Sequence, residues 1–540
     1  MATRVVIAGG GVAALEASLS LRALAAERVS VELIAPEPQF WYRPLAVAEP
    51  FGLGETRHFE LAELASAAGA TFTLGTLLGV GADGHEAQTS VGAVPYDVLL
   101  VACGAVPSTA VPGALTFRGP ADSDKIRQLL AELTVGAAKR VAFVVPSGAV
   151  WSLPIYELAL MTAARLAADQ IEDVELMLVT PEEEPLQVFG QAGCAAVRKL
   201  LDERGISFHG GSYPTEVVEG ELQLVPDGRI TVDRVVALPR LKGVRLDGLP
   251  QTIDGFVPTD AHGQVPGLVD VFAAGDITSF PVKQGGIAAQ QADAAAEAIA
   301  VRAGADLTPQ PFRPVLRGLL LTGAQPRYLR HEITRGVGEE ATVSPEPLWW
   351  PPAKIVGRHL APFLGAFTGV VSPAEAPVVP GALAVEVQLD AEVDASSARR
   401  LGPVDADRDG RKVGEVMSVE PLVVAPEDTL GEIAEKMRAC DVGSVAVADY
   451  GRLIGILTSR DLLRAFAGRV HPSEARARAW MTAEPVTVSP GASLELAVAL
   501  MTEYGIHHLP VVEGERPVGM LGLRQAVRAS RRGSTVGLGF

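Results

Sequence analysis

Along the first 310 residues, short β-branched runs alternate with Ala- and Leu-rich stretches of helical period. Val5–Ala8, Val29–Ala35, Val98–Ala102, Val141–Val145, Val174–Thr180 and Val269–Ala273 read as strands. Ala13–Ala26, Ile155–Ala168, Ala192–Glu203 and Ile287–Ala303 read as helices. Alternation of this kind predicts an α/β fold of parallel sheets with crossover helices. Residues 311 to 371 break the rhythm with Pro-interrupted pieces, a Trp349-Trp350 pair and an apolar segment, Ile355–Phe367. Residues 372–411, rich in Pro, Ala, Asp and Arg, read as a linker.

Beyond it lies a repeat with a period of 64 residues. Met417 matches Met481, Pro421 matches Pro485, Leu430 matches Leu494, Met437 matches Met501 and Gly455 matches Gly519, without gaps. Each repeat reads as strand, helix, two strands, helix, an α+β pattern.

Length and charge narrow the function. A chain of 540 residues holds several cores. Its net charge of -18 provides no overall field for nucleic-acid phosphates, and there is no basic stripe. Small molecules or proteins are the expected partners. The three cysteines, Cys103, Cys194 and Cys440, form no CxxC, so neither a disulfide framework nor a metal site is expected, and a reducing, cytoplasmic compartment fits. No apolar run approaches the roughly 20 residues of a membrane span, and with no basic segment leading into an apolar signal region, secretion is not expected.

The chemistry starts at that strand. Val5-Val6-Ile7-Ala8-Gly9-Gly10-Gly11-Val12-Ala13-Ala14 reads as strand, glycine turn and helix start. Gly9 permits the turn, Gly11 has no side chain to block a pyrophosphate, and Ala14 lets helix and strand pack closely. Free N–H groups at the helix start attract phosphate. An acid for a ribose hydroxyl belongs at the end of the second strand. Ala35 stands there, and Glu37, two residues on, is either its substitute or a solvated loop acid.

Later motifs carry a resemblance. Val271-Phe272-Ala273-Ala274-Gly275-Asp276 and Tyr96-Asp97-Val98-Leu99-Leu100-Val101-Ala102-Cys103-Gly104 resemble two further motifs of the FAD-dependent pyridine nucleotide-disulfide oxidoreductases. The resemblance implies two Rossmann-like domains, an FAD domain split by a NAD(P)-like one. It implies that Asp276 bonds the ribityl-phosphate part of FAD, with Gly104 and Gly275 beside the cofactor and Leu77 at the adenine. Cys103 replaces the family's Thr, either as a reactive thiol or as a small packed residue. Phe40-Trp41-Tyr42-Arg43-Pro44-Leu45 and Pro281-Val282-Lys283-Gln284-Gly285-Gly286 resemble flavin-side segments of sulfide:quinone reductases and type II NADH dehydrogenases. By that match Arg43, Pro44 and Lys283 are flavin-proximal. Lys283 either stabilises negative charge on the reduced ring or is a surface lysine. The helix starting at Gly285-Gly286 turns its positive end toward the flavin.

Two features depart from that branch. The middle-domain turn, Val145-Pro146-Ser147-Gly148-Ala149-Val150-Trp151-Ser152-Leu153-Pro154, has one Gly where a nicotinamide dinucleotide wants several. Leu153-Pro154-Ile155-Tyr156-Glu157 resembles the reductase segment that carries a redox cysteine, but Trp151 takes the cysteine's place, and no cysteine lies between Cys194 and Cys440, so the second redox position is missing too. Sulfide oxidation through a thiol pair is therefore unsupported, and Cys194 reads as a core residue. Gly286-Ile287-Ala288-Ala289-Gln290-Gln291 partly matches a quinone motif, although both glutamines also suit a helix surface. Leu348-Trp349-Trp350-Pro351-Pro352 with Ile355–Phe367 reads either as a membrane-interface element or as a cover on the flavin domain.

The repeat resembles a CBS (cystathionine-β-synthase-type) pair. Gly455-Ile456-Leu457-Thr458-Ser459-Arg460-Asp461 matches its adenosine-binding stretch, which implies that Asp461 accepts from ribose hydroxyls and Thr458 touches phosphate or ribose. At the same places the second repeat has Gly522 and Gln525, so one competent adenine-nucleotide site is expected, or a dimerisation platform alone. His507-His508 has no further ligand near it.

The expected plan is 1–115 and 251–310 for the FAD domain, 116–250 for the NAD(P)-like domain, 311–371 for a C-terminal oxidoreductase segment, 372–411 for the linker, and 412–470 and 471–535 for the CBS halves. The expected function is transfer of electrons from a small-molecule donor through FAD to an acceptor such as a quinone, tuned by adenine nucleotide. The expected protein is a homodimer, cytoplasmic or peripheral at the inner membrane face. The alternative is a low-turnover flavin- and nucleotide-sensing regulator.

Overall fold

The computed structural model describes residues 2–81, 85–225, 228–332, 341–349, 351–368, 412–419, 421–440, 442–467, 475–503, 506–523 and 525–526. The expected linker and Trp350 lie outside them. The chain divides into two units, one built on residues up to 385 and one on residues from 386 onward.

The first unit contains two parallel five-stranded sheets. In one, the strands run in the order Val271–Ala273, Val98–Val101, Thr3–Ala8, Val29–Ala35, Thr71–Leu74. Thr3–Ala8 is central, and Val5, Val6 and Ile7 are fully buried. Helix α1 (Val12–Ala25) leaves this strand directly after the glycine turn. In the other sheet the order is Leu115–Thr116, Arg234–Ala237, Arg140–Val144, Glu175–Val179, Ile206–His209, with Arg140–Val144 central. Its crossover, helix α2 (Leu153–Ala168), starts eight residues after the strand's last Val144 neighbour, Val145, with Pro154 in its first turn. Each central strand feeding its helix is the parallel crossover unit expected from the alternating pattern. Two antiparallel connecting strands, Ala105–Ser108 and Arg240–Gly243, join the sheets.

After Val271–Ala273 the chain forms helix α3 (Gly285–Arg302), which lies along α1. Both helices carry many alanines, which permits the close approach. A three-stranded antiparallel sheet follows: Val315–Leu320, Arg327–Glu332, Ala341–Ser344. The expected apolar segment becomes helical only at α4 (Leu360–Thr368). The cause is Glu16, fully buried on α1, whose carboxylate accepts from the backbone N–H groups of His359 and Leu360 at 2.7 Å each and so fixes the helix start. Leu360 and Leu364 pack into the core of the first sheet. This helix is thus a cover on that domain. Among the described residues no helix is long and apolar enough to cross a membrane.

The second unit shows why the repeat keeps its methionines and glycines. The first strand of each half crosses to the other half's sheet: Ser418–Val419 pairs with Arg516–Gly522, and Thr482–Ala483 pairs with Arg452–Thr458. A Cβ on Gly519 would lie 2.3 Å from Met417 Sδ, and one on Gly455 would lie 2.3 Å from Met481 Sδ. Each methionine therefore fills the space left by the other half's glycine. Helix Leu430–Ala439 opens with a capping box between Thr429 and Glu432.

Candidate functional site

The C-terminal edge of the first sheet opens into a cavity of about 650 Å³, within the range of cofactor pockets. Gly9, Gly11, Glu37, Arg43, Pro44, Leu77, Gly104, Gly275, Asp276, Lys283 and Gly285 line it. Two further expected residues do not. Ala14 is buried between helix and sheet, and Gly286 is buried one residue into α3, its open side facing the Gln284 side chain.

The glycine turn fits a phosphate-bearing cofactor in a way that can be checked position by position. Gly9 has φ +151°, and a Cβ there would fall 2.1 Å from the Ala102 carbonyl oxygen. Its job is close passage of strand and connecting loop. A Cβ on Gly11 would meet no protein atom within 4 Å. That opening lies on the cavity at the start of α1, where free N–H groups and the helix dipole favour an anion. On the opposite wall, the Gln284 side chain caps α3 by accepting from Ile287 N. Gly275 N donates to Gln291 Oε1 at 2.9 Å, which holds the turn carrying Asp276. Gln290 likewise bonds Gly286 O and Val315, so both glutamines are structural rather than free on the helix surface.

Charges converge on this wall. Burial pushes the Asp276 carboxyl up, opposed by Lys283 and Arg43. Lys283 is buried, and its ammonium donates to the carbonyls of Thr278 and Phe280 and sits 4.2 Å from the Phe256 ring centre. Burial brings it down to about 8, with Asp276 pulling the other way. It is not a surface lysine. Cys103 is half-buried at the wall and burial pushes its thiol up to about 12, so it is no thiolate at neutral pH. Cys194 is half-buried rather than a core residue, and burial followed by Glu184 and Glu182 raises it to about 11.

A pair that pattern reading did not find completes the cavity. Lys354 Nζ contacts both Glu157 oxygens at 2.6 and 2.7 Å and donates to Pro44 O at 3.2 Å. Leu321 N also donates to Glu157. The two side chains are 7% and 1% exposed. Burial raises the Glu157 carboxyl and Lys354 opposes it. One signal was available: Glu157 is the single acid in the apolar helix Leu153–Ala168.

The middle-domain turn is built otherwise. The Arg240 guanidinium donates to Ser147 O at 3.0 and 2.6 Å and lies against Gly148. After the second strand, Glu182 accepts from Tyr156 (2.8 Å), Ser152 (3.1 Å) and Thr180 (3.2 Å). Burial raises its carboxyl to about 7.

In the second unit, Asp461 Oδ2 accepts from Thr458 N and Oγ1 at 2.8 and 2.7 Å. Thr458 already donates its hydroxyl proton there, so toward a ligand it is left as an acceptor. Gln525 repeats the backbone bond, from Gly522 N at 3.0 Å, without the charge.

Comparison with known proteins agrees with this architecture. The profile described as pyridine nucleotide-disulphide oxidoreductase matches residues 3–298, more than half of the chain. The chain belongs to that family. As a member of the pyridine nucleotide-disulphide oxidoreductases it is a flavin-dependent oxidoreductase. CBS domain profiles match residues 413–468 and 477–532. The structure of the sulfide:quinone oxidoreductase from Aquifex aeolicus is similar in fold, with a TM-score of 0.58 and 18% identity over 71% of this chain and 100% of that one. A CBS domain-containing protein of Bacillus subtilis, YhcV, is 32% identical over 111 residues, 21% of this chain and 79% of that protein. An uncharacterized protein of Methanopyrus kandleri is 37% identical over 103 residues, 19% of this chain and 53% of its own length.

Proposed function

We propose that the cavity holds FAD and that the protein passes electrons from a small-molecule donor to an acceptor such as a quinone, with the CBS pair tuning the reaction through adenine nucleotide. The observation that carries this reading is a single cavity bounded by the open Gly11 face, Asp276 and the start of α3. Gly9–Gly11 would receive the pyrophosphate and Asp276 the ribityl part. FAD, when bound, supplies the two-electron chemistry. The chain's own residues supply the field and the shielding. Lys283 is a buried cation whose lowered proton affinity keeps its charge responsive near neutral pH. Glu157 and Lys354 form a buried acid–cation pair at the wall, able to hold a proton away from bulk water.

The donor we infer is not a nicotinamide dinucleotide. Arg240 covers the middle turn, and the donors around Glu182 already occupy the carboxylate that a ribose would need. Nor is it a substrate of a redox thiol pair, since burial holds both Cys103 and Cys194 protonated. The same facts favour a second reading, a sensor with little turnover. In the CBS pair, Asp461 is the expected nucleotide contact and the Gln525 half is expected to stay empty.

Purified protein is photoreduced anaerobically and mixed with a short-chain quinone. The proposed function predicts return of the visible flavin band within seconds. A band that stays bleached for many minutes would favour the sensor. AMP, ADP and ATP are expected to raise the unfolding temperature of wild type but not of Asp461→Asn. No shift with any of the three would refute regulation by adenine nucleotide.

A further inference from the structure

Five cationic side chains line the cavity: Arg43, Arg118, Lys283, Arg317 and Lys354. Lys354 is neutralised by Glu157 and Lys283 is held by two carbonyls. Arg118 bonds Thr109 and pairs with Asp122. Arg43 is exposed, and its charge acts on Asp276. Arg317 remains. It is half-buried on the strand Val315–Leu320, on the same face as Leu319, which also lines the cavity. Among the described residues its guanidinium makes no hydrogen bond or ion pair, although its backbone carbonyl accepts from Gln284 at 2.9 Å.

Its surroundings make that cation conspicuous. Arg317 sits directly across from Arg330 in the antiparallel pair, and like charges in that relation repel. Glu332 is committed to Arg330 by an ion pair. Burial and Arg330 both lower the proton affinity of Arg317, with Glu332 partly opposing them. The Gln284 bond sets Arg317 beside the start of α3, whose positive end adds to the local field. The cavity wall also carries the apolar side chains of Trp151, Leu319 and Ile355.

We infer that Arg317 forms an anion subsite of the cavity and receives the carboxylate of a small organic acid, the second substrate. A guanidinium offers parallel donors that match both carboxylate oxygens, and the apolar side chains of the wall suit the rest of such a molecule. This inference rests on the reading of the cavity as the flavin cavity. It adds what that reading lacks, a chemical class for the substrate.

The test titrates benzoate and its neutral counterpart benzamide into wild type, Arg317→Gln and Arg317→Lys by calorimetry, with the flavin band of each protein recorded beforehand. Benzoate is expected to bind wild type saturably and at least about tenfold more weakly to Arg317→Gln. Arg317→Lys should recover part of the loss, and benzamide should bind no better to wild type than to either variant. Equal benzoate affinity in wild type and Arg317→Gln would overturn the subsite, as would benzamide binding as well as benzoate. Loss of the flavin band from Arg317→Gln alone would overturn it too, by showing that the cofactor is the guanidinium's partner. A wild type without flavin, reconstituted or as purified, would instead overturn the flavin reading, while the benzoate comparison would still report on Arg317.

Discussion

Four adjacent strands of each parallel sheet in the first unit follow the same order, yet the crossings that leave the two central strands are built in opposite ways. After Thr3–Ala8 the chain needs only Gly9, Gly10 and Gly11 before α1 begins, and the Gly11 face is open. After Arg140–Val144 it runs through Val145–Ser152, and Arg240 lies on the turn. The acids beyond the second strands differ as well. Glu37 is exposed at the cavity, whereas Glu182 is caged by three side-chain donors. Topology therefore places a nucleotide-type crevice in both domains, and the few residues at each crossing decide whether it stays open.

Substitutions sharpen this contrast, beginning with the largest. Gly9→Ala drives a Cβ against the Ala102 carbonyl from a left-handed backbone. We expect a loss of about 3 kcal/mol, read as a lower denaturant midpoint together with loss of the flavin band. Gly11→Ala adds a methyl where no protein atom stands. The apoprotein should unfold at an unchanged midpoint while FAD affinity falls at least tenfold, about 1.4 kcal/mol; an unchanged affinity would remove the turn from the cofactor site. Gly148→Ala is the matching change in the middle turn. Its φ of +77° predicts a cost of about 1 kcal/mol, with flavin content untouched.

The remaining effect is one of pH. Burial raises Glu182 from the usual 4.5 to about 7, so the folded chain keeps a proton that the unfolded chain releases. This site's contribution is complete below 4.5 and is lost as pH rises toward 7, at no more than about 1.4 kcal/mol per unit. Glu182→Gln should flatten that fall when midpoints at pH 5 and pH 7 are compared. An equal fall in both proteins would place the carboxylate in water and weaken the contrast between the turns.

Much of the architecture was legible because it is local. Period and β-branching marked the strands now seen at Val29–Ala35 and Val98–Val101, and the period of 64 marked two halves whose Met417 and Met481 exchange places. The cavity residues from Gly9 to Gly285 carry recognisable runs of sequence. What pattern reading missed depends on distant partners. Glu157 and Lys354 are 197 residues apart. Arg240 reaches Ser147 across 93 residues. Arg317 stands out only because Glu332, the acid acting on it, is committed to Arg330, a matter of packing rather than of motif. The apolar pattern of Ile355–Phe367 does not show where helix α4 starts, because that start is set by Glu16 on another helix.

The contrast between an open and a covered crossing is tested most directly by calorimetric titration of the apoprotein with FAD and, separately, of the flavin-loaded protein with NADH. The account predicts tight, saturable FAD binding and no measurable heat of binding from NADH at millimolar concentration. Micromolar NADH binding would contradict it, since Arg240 and the cage around Glu182 would then not close the middle domain.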